Sequence, residues 1–306
     1  MSSICDVPGI RVGHAQNNSA KTGCTVILPE QEAIAGVDIR GSAPGSREVE
    51  VLKPVRLIQH IHGILLTGGS AFGLNAAGGV MRYLEAIGMG YDTGVAKIPV
   101  VPSAVIYDLA IGDPTVRPDE EMGYQACLNA TGREFREGRI GVGCGATVGK
   151  IRGMSYVSAG GVGSCSHLFS NGVVIGVLTV VNALGEVINP ENGGILAGAK
   201  TNDGMDYVET LKLMEQMSDP NFPSSNTTLS VVATNAEFDK EDCIKIAQMA
   251  QNGLARTIRP AHTLYDGDIV FAMSVGSKSI DINLAGATAC ELVAESIVRA
   301  VHAGSD

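Results

Sequence analysis

One polar lead-in to an apolar run has the residue types a nucleophile needs. Ser225-Asn-Thr-Thr-Leu-Ser-Val-Val-Ala-Thr234 rises from a polar loop into a strand through Asn226 and Thr227. Alone, that triplet is a strand start and nothing more. Downstream, Tyr265-Asp-Gly-Asp268 sets two carboxylates at i and i+2 just before another apolar run. Such a pair at a strand edge can share one face and orient a nearby amine or hydroxyl. Alone, D-G-D is a turn, and a calcium loop would need ligands that are missing. Lys150 closes a Gly-rich apolar segment. It is either a solvated surface lysine or a desolvated one with a perturbed pKa. Asn182 interrupts the apolar run 173–184. An asparagine buried there is a structural bond-maker or an oxyanion donor.

Other chemistries find less support. Gly141-Val-Gly-Cys-Gly145 lacks the spacing of a dinucleotide turn, and Gly145-Ala-Thr-Val-Gly149-Lys150 is one residue too short between its glycines for a P-loop. These glycines read as tight turns and close packing. No G-x-S-x-G elbow occurs, so an α/β-hydrolase is unsupported. Ser70, after Gly68-Gly69, is either an N-cap or a pocket residue. His60 and His62 are the only close pair of histidines, no H-E-x-x-H or C-x-x-C occurs, and neither metal nor cofactor is expected. His262 reads as a hydrogen-bonded loop or core residue.

These residues need elements to hold them. Residues 55–67 read as a short helix and a buried strand, 71–87 as a helix, and 99–109 as an extended apolar segment. Residues 118–138 read as a helix with Pro and acids at its start and Gly138 at its end. The stretch 141–187 reads as several strands, mostly antiparallel hairpins, with turns at Gly160-Gly161 and Ser170-Asn-Gly172. Helix returns at 203–217, a loop at 218–225, a strand at 228–235, and a helix at 239–253 with an Asp N-cap and a Gly stop. A strand at 269–275 and a helix at 285–301 follow. Strands clustered between groups of helices indicate a layered α+β architecture.

Composition bounds the class. With 306 residues, 45% hydrophobic and 18% charged, the chain can bury a core and is not disordered. Gly is 39 of 306, nearly twice the roughly 7% of average usage. A net charge of −10 argues against nucleic acid or an anionic membrane as partner. The N-terminus shows no signal-peptide pattern, and seven scattered Cys read as reduced thiols of a cytoplasmic protein.

Six motifs together resemble a known family. They are Thr67-Gly-Gly-Ser-Ala-Phe-Gly-Leu74, Pro99-Val-Val-Pro-Ser-Ala-Val-Ile-Tyr-Asp-Leu109, Gly145-Ala-Thr-Val-Gly-Lys150, Val181-Asn-Ala-Leu-Gly185, Asn226-Thr-Thr-Leu229 and His262-Thr-Leu-Tyr-Asp-Gly-Asp268. In this order they resemble the self-processing N-terminal-nucleophile-like amidohydrolases: L-aminopeptidase/D-esterase, β-peptidyl aminopeptidases and 6-aminohexanoate-oligomer hydrolase. The resemblance implies a single αββα sandwich over 1–306, cut between Asn226 and Thr227 into chains 1–226 and 227–306. It implies Thr227 as nucleophile, Asp266 and Asp268 as the acids that position it, Asn182 as oxyanion donor, Lys150 as active-site lysine and Tyr107 beside the substrate. Thr and an Asp pair, where the aminopeptidase/esterase branch has Ser, Ser and Glu, bring the chain nearer the oligomer hydrolases. The adjacent Thr228 offers a second hydroxyl. Implied partners are a small amide or peptide substrate and further copies of the chain, in a tetramer of αβ units. Rival readings are an acyltransferase of the ornithine acetyltransferase type and an uncleaved, non-catalytic homologue.

Overall fold

Two β-sheets face each other across an apolar layer, and helices cover both outer faces. A computed structural model of the chain describes residues 2–217 and 226–305, so the loop expected at 218–225 lies outside the described residues. In chain order the strands of the two sheets are β1 (Ile10–Asn17), β2 (Thr22–Pro29), β3 (Ala33–Ile39), β4 (Ser46–Arg47), β5 (His60–Ile61), β6 (Ile64–Thr67), β7 (Ser103–Val105), β8 (Gly161–Leu168), β9 (Val174–Asn182), β10 (Thr227–Ala236) and β11 (Ile269–Lys278). The helices are α1 (Ala76–Ala86), α2 (Glu120–Leu128), α3 (Thr210–Gln216), α4 (Lys240–Thr257) and α5 (Ile282–Ser305). The first sheet has the order β1-β2-β6-β7-β4 and the second β8-β9-β10-β11-β3-β5.

Strand periodicity explains the layering. Every residue of β9 and β10 is buried, as strands covered on both faces must be. Leu229, Val231 and Ala233 join Ile27, Ile64, Leu66, Leu178, Val180 and Phe271 between the sheets. Val232 and Ala236 point the other way, into the layer shared with Ala247, Leu254, Val293 and Ile297 of α4 and α5. A third cluster joins Val26, Leu28 and Leu65 to Ala77, Val80, Leu84 and Ala126, so α1 and α2 cover the first sheet. The result is the expected αββα sandwich.

Several local readings are corrected. No helix forms at residues 55–59: Val55 and Leu57 are 86% and 81% exposed, and the buried Lys240 ammonium binds the carbonyls of Val51, Lys53 and Ile58 instead. α2 begins on the Asp119 cap, whose carboxylate accepts the Met122 N–H, but stops at Leu128 because Thr131 pairs with Val12 of β1. Residues 141–145 form a 3-10 turn, while the hairpin β8–β9 closes at Gly172 as expected. The helix expected over 203–217 is confined to α3, since Tyr207–Val208 pairs with Ala199–Lys200. Gly253 does not end α4. A Cβ there would stand 2.5 Å from the Cys290 carbonyl, so this glycine lets α4 and α5 approach.

Candidate active site

The site lies where β9 ends and β10 begins. These strands are antiparallel, and their register sets Asn182 opposite Thr227. Both share the parity of the side chains between the sheets, Leu178 and Val180 on β9 and Leu229 and Val231 on β10. Thr228 has the opposite parity, that of Ser230 and Val232. Register therefore separates the two hydroxyls: Thr227 faces the cleft between the sheets and Thr228 the helix layer. A cavity of about 220 Å³ opens at this point, lined by Pro44, Ser70, Val105, Tyr107, Asn226 and Thr227 among others. A larger cavity of about 720 Å³, lined by His14, Asp119 and Arg136 among others, contains none of the candidate residues.

The Asn226–Thr227 peptide is held on both sides. The Thr227 hydroxyl donates to the Asn226 carbonyl oxygen at 2.5 Å, and the Gly267 N–H donates to the same oxygen at 2.8 Å. Asn226 bridges to Asp266, which seats the residue before Thr227 against the D-G-D turn. A Cβ on Gly267 would stand 2.8 Å from the Thr227 hydroxyl, so only glycine brings a backbone amide so close.

Both aspartates are buried, at 3% exposure each. Asp268 Oδ1 accepts the Thr228 N–H at 2.7 Å, and its Oδ2 accepts the His262 N–H and pairs with His262 Nδ1, both at 3.0 Å. Asp266 Oδ2 accepts the N–H and the hydroxyl of Thr263 at 2.8 and 2.6 Å. Asp268 thus fixes the amide that follows Thr227, and Asp266 fixes the start of its own turn. Burial pushes the Asp266 carboxyl up to about 6, and repulsion from Asp268 adds to this, while the Thr263 bonds and the Lys150 charge oppose it.

Lys150 is 1% exposed, which settles its alternative as a desolvated lysine. Burial pulls its pKa down to about 7, against the pull of Asp266. Its Nζ donates to the carbonyls of Thr147, Asn182 and Ala183 at 3.0, 2.8 and 3.3 Å. Those three acceptors favour the ammonium form, so the group can act as a base only by releasing one of them. Asn182 is fully buried; its Oδ1 accepts the Thr147 N–H and its Nδ2 donates to the Tyr107 carbonyl. Tyr107 thus both lines the cavity and orients Asn182.

Every expected site residue converges here, and three groups missed in the sequence join them. Asp108 is buried and accepts the Gly69 N–H and the Thr22 hydroxyl, each at 2.7 Å. It holds the turn that puts Ser70 on the cavity wall at a left-handed φ of 54°. Ser70 is therefore the pocket residue of its two readings and not an N-cap. A lone acid in an apolar run was the available signal. The Gly267 amide left no sequence signal, and the partner of His262 could not be read without the fold.

The αββα sandwich, with a threonine at the head of an inner strand, has the N-terminal-nucleophile hydrolase fold. The sequence matches Peptidase family S58 over residues 2–306, and the chain belongs to that family. An uncharacterized aminopeptidase of Mycobacterium tuberculosis is 42% identical over 298 residues, covering 92% of this chain and 83% of the relative. The 6-aminohexanoate-oligomer endohydrolase of a Kocuria species is 31% identical over 316 residues, covering 96% and 84%. Among solved structures, the L-aminopeptidase D-Ala-esterase/amidase of Ochrobactrum anthropi superposes with a TM-score of 0.72 at 19% identity, covering 98% of this chain and 85% of that one. A Burkholderia β-aminopeptidase gives 0.69 at 22% identity, covering 98% and 86%. The chain is a hydrolase of the peptidase class.

Proposed function

We propose that the chain cuts itself between Asn226 and Thr227 and then hydrolyses short amide-bonded substrates with Thr227. The observation that carries this reading is the Thr227 hydroxyl against the Asn226 carbonyl, with the Gly267 N–H on the same oxygen. In the first event Oγ attacks the Asn226 carbonyl carbon, and the Gly267 N–H steadies the negative charge that forms on oxygen. The C–N bond breaks, the nitrogen takes a proton and becomes the Thr227 α-amine, and an ester joins Asn226 to Oγ. Water cleaves the ester, leaving the Asn226 carboxylate and a free Thr227. Asp266 and Lys150, poised near neutral pH, are the groups that pass the protons.

Turnover uses the new terminus. An α-amine has a pKa of roughly 7.7–8, so it can take the hydroxyl proton without a histidine. Thr227 attacks the substrate carbonyl, Asn182 receives the oxyanion, the amine leaves with a proton, and water releases the acyl group. Tyr107 and Ser70 contact the substrate. The names of the relatives point to peptide-like and 6-aminohexanoate-like amides as the substrate class.

Among the described residues no helix is long and apolar enough to cross a membrane. We infer a cytoplasmic location from the free cysteines, and an assembly of αβ units by the family resemblance. Denaturing electrophoresis should resolve fragments of 226 and 80 residues from the 306-residue chain. Thr227→Ala should stay whole and inactive; an active Thr227→Ala protein would refute the reading.

A further inference from the structure

His262 is polar, mostly buried and unused by the chemistry above. Its side chain is 19% exposed. It is one of four non-glycine residues at positive φ among the described residues, at 59°. For a non-glycine residue that conformation is strained. The gain is geometric: the turn aims both the His262 N–H and Nδ1 at one oxygen, Asp268 Oδ2. Nε2 is buried with no hydrogen-bond partner. With a proton on Nδ1 the ring donates to the carboxylate.

We propose that His262 is a positioning residue that locks the Asp268 carboxylate, and through it the start of β10. With Oδ2 held by His262, Oδ1 is presented to the Thr228 N–H at 2.7 Å. The Asp268 carbonyl is also fixed, by the N–H groups of Arg40 and Gly41. The carboxylate therefore spans from the 259–268 loop to the peptide directly after the nucleophile. Removing the ring leaves Oδ2 with one backbone donor, frees the carboxylate to rotate, and loosens the Thr228 amide that aims Thr227. The proposal rests on Thr227 being the nucleophile.

Three variants separate the ring's hydrogen bond from its backbone. His262→Asn tolerates positive φ and carries an N–H close to the Nδ1 position. His262→Gly tolerates the same backbone but has no donor. His262→Leu keeps bulk without a donor. The readout is self-cleavage of the full-length chain, followed by intact mass, with thermal unfolding of each protein in parallel. Expected is cleavage slowed by about 10–100-fold in the Gly and Leu variants, the range typical when an orienting partner is lost, and restored to within roughly threefold by Asn. Wild-type rates in Gly and Leu, or an Asn variant as slow as Gly, overturn the proposal. So does slowing in Gly alone that tracks a lost unfolding transition while Leu cleaves normally. An unmodified chain that never cleaves would instead refute the nucleophile reading itself.

Discussion

Gly267→Ala tests the proposed scissile peptide, Asn226–Thr227, with a single methyl group. The backbone at Gly267 is not left-handed, so the added carbon costs space and not conformation. Built there, it stands 2.8 Å from Thr227 Oγ1 and 2.9 Å from the Ala43 carbonyl oxygen. Ordinary contact begins at 3.4 Å, so something must retreat by about 0.5–0.6 Å. The Ala43 carbonyl is backbone, fixed by its bond to its own chain and lying beside the Asp266 carbonyl that accepts the Ala43 N–H. The hydroxyl can move by rotating about one side-chain bond. The Thr227 hydroxyl is therefore what gives way, and the contact with the Ala43 carbonyl remains as overpacking strain. Misplacing a reacting atom on the ångström scale costs about 10²-fold in rate, and overpacking costs about 1–3 kcal/mol of stability. Gly267→Ala should emerge from purification largely whole and mature about 10²-fold more slowly by intact mass, with its unfolding transition lowered by several degrees. A variant already cut as completely as the parent would show that the hydroxyl does not react from this position.

Other perturbations follow from the same geometry. Asn182→Ala should lower kcat of the processed enzyme by about 10²–10³, the loss of roughly 2.7–4 kcal/mol expected for one oxyanion donor, measured on any amide substrate the enzyme accepts. Thr228→Val should cleave like the parent, because that hydroxyl is buried without a partner and faces the helix layer, whereas Thr227→Val should not cleave at all. The Lys150 pKa is about 7 in the fold against an ordinary 10.5, so between those values the unfolded chain binds more protons, and this group adds stability as pH rises. The Tm advantage of the parent over Lys150→Met should therefore widen from pH 7 to pH 9; a constant gap would contradict the burial of the lysine. Asp266 acts oppositely: its raised pKa means that its contribution declines as pH rises from 3.8 to about 6.

The layers were legible because strand parity and helix periodicity are local. Runs such as β10 and β11 announce themselves, and so does the Asp239 cap, whereas Asp119, read as part of the first turn of its helix, is the cap itself. Element ends were harder, since tertiary pairing decides them: Thr131 is claimed by β1 and Tyr207 by the strand at Ala199. At the site, residue types and spacing flagged Asn182, Lys150 and the Asp pair as candidates, and the family resemblance proposed Thr227, all of which the fold brings together. What each atom touches was not legible. Asp268 binds the Thr228 amide and His262, and the Asn226 carbonyl meets a backbone N–H that no side chain advertises. Backbone donors and left-handed turns depend on the whole fold, and a single sequence records neither.

The most direct test of the account is N-terminal sequencing of the smaller fragment, combined with intact mass of the purified protein. The account predicts a fragment beginning Thr-Thr-Leu-Ser, from Thr227, and a partner ending at Asn226. A single chain of 306 residues after prolonged incubation, or a fragment that begins at Thr228, would contradict it.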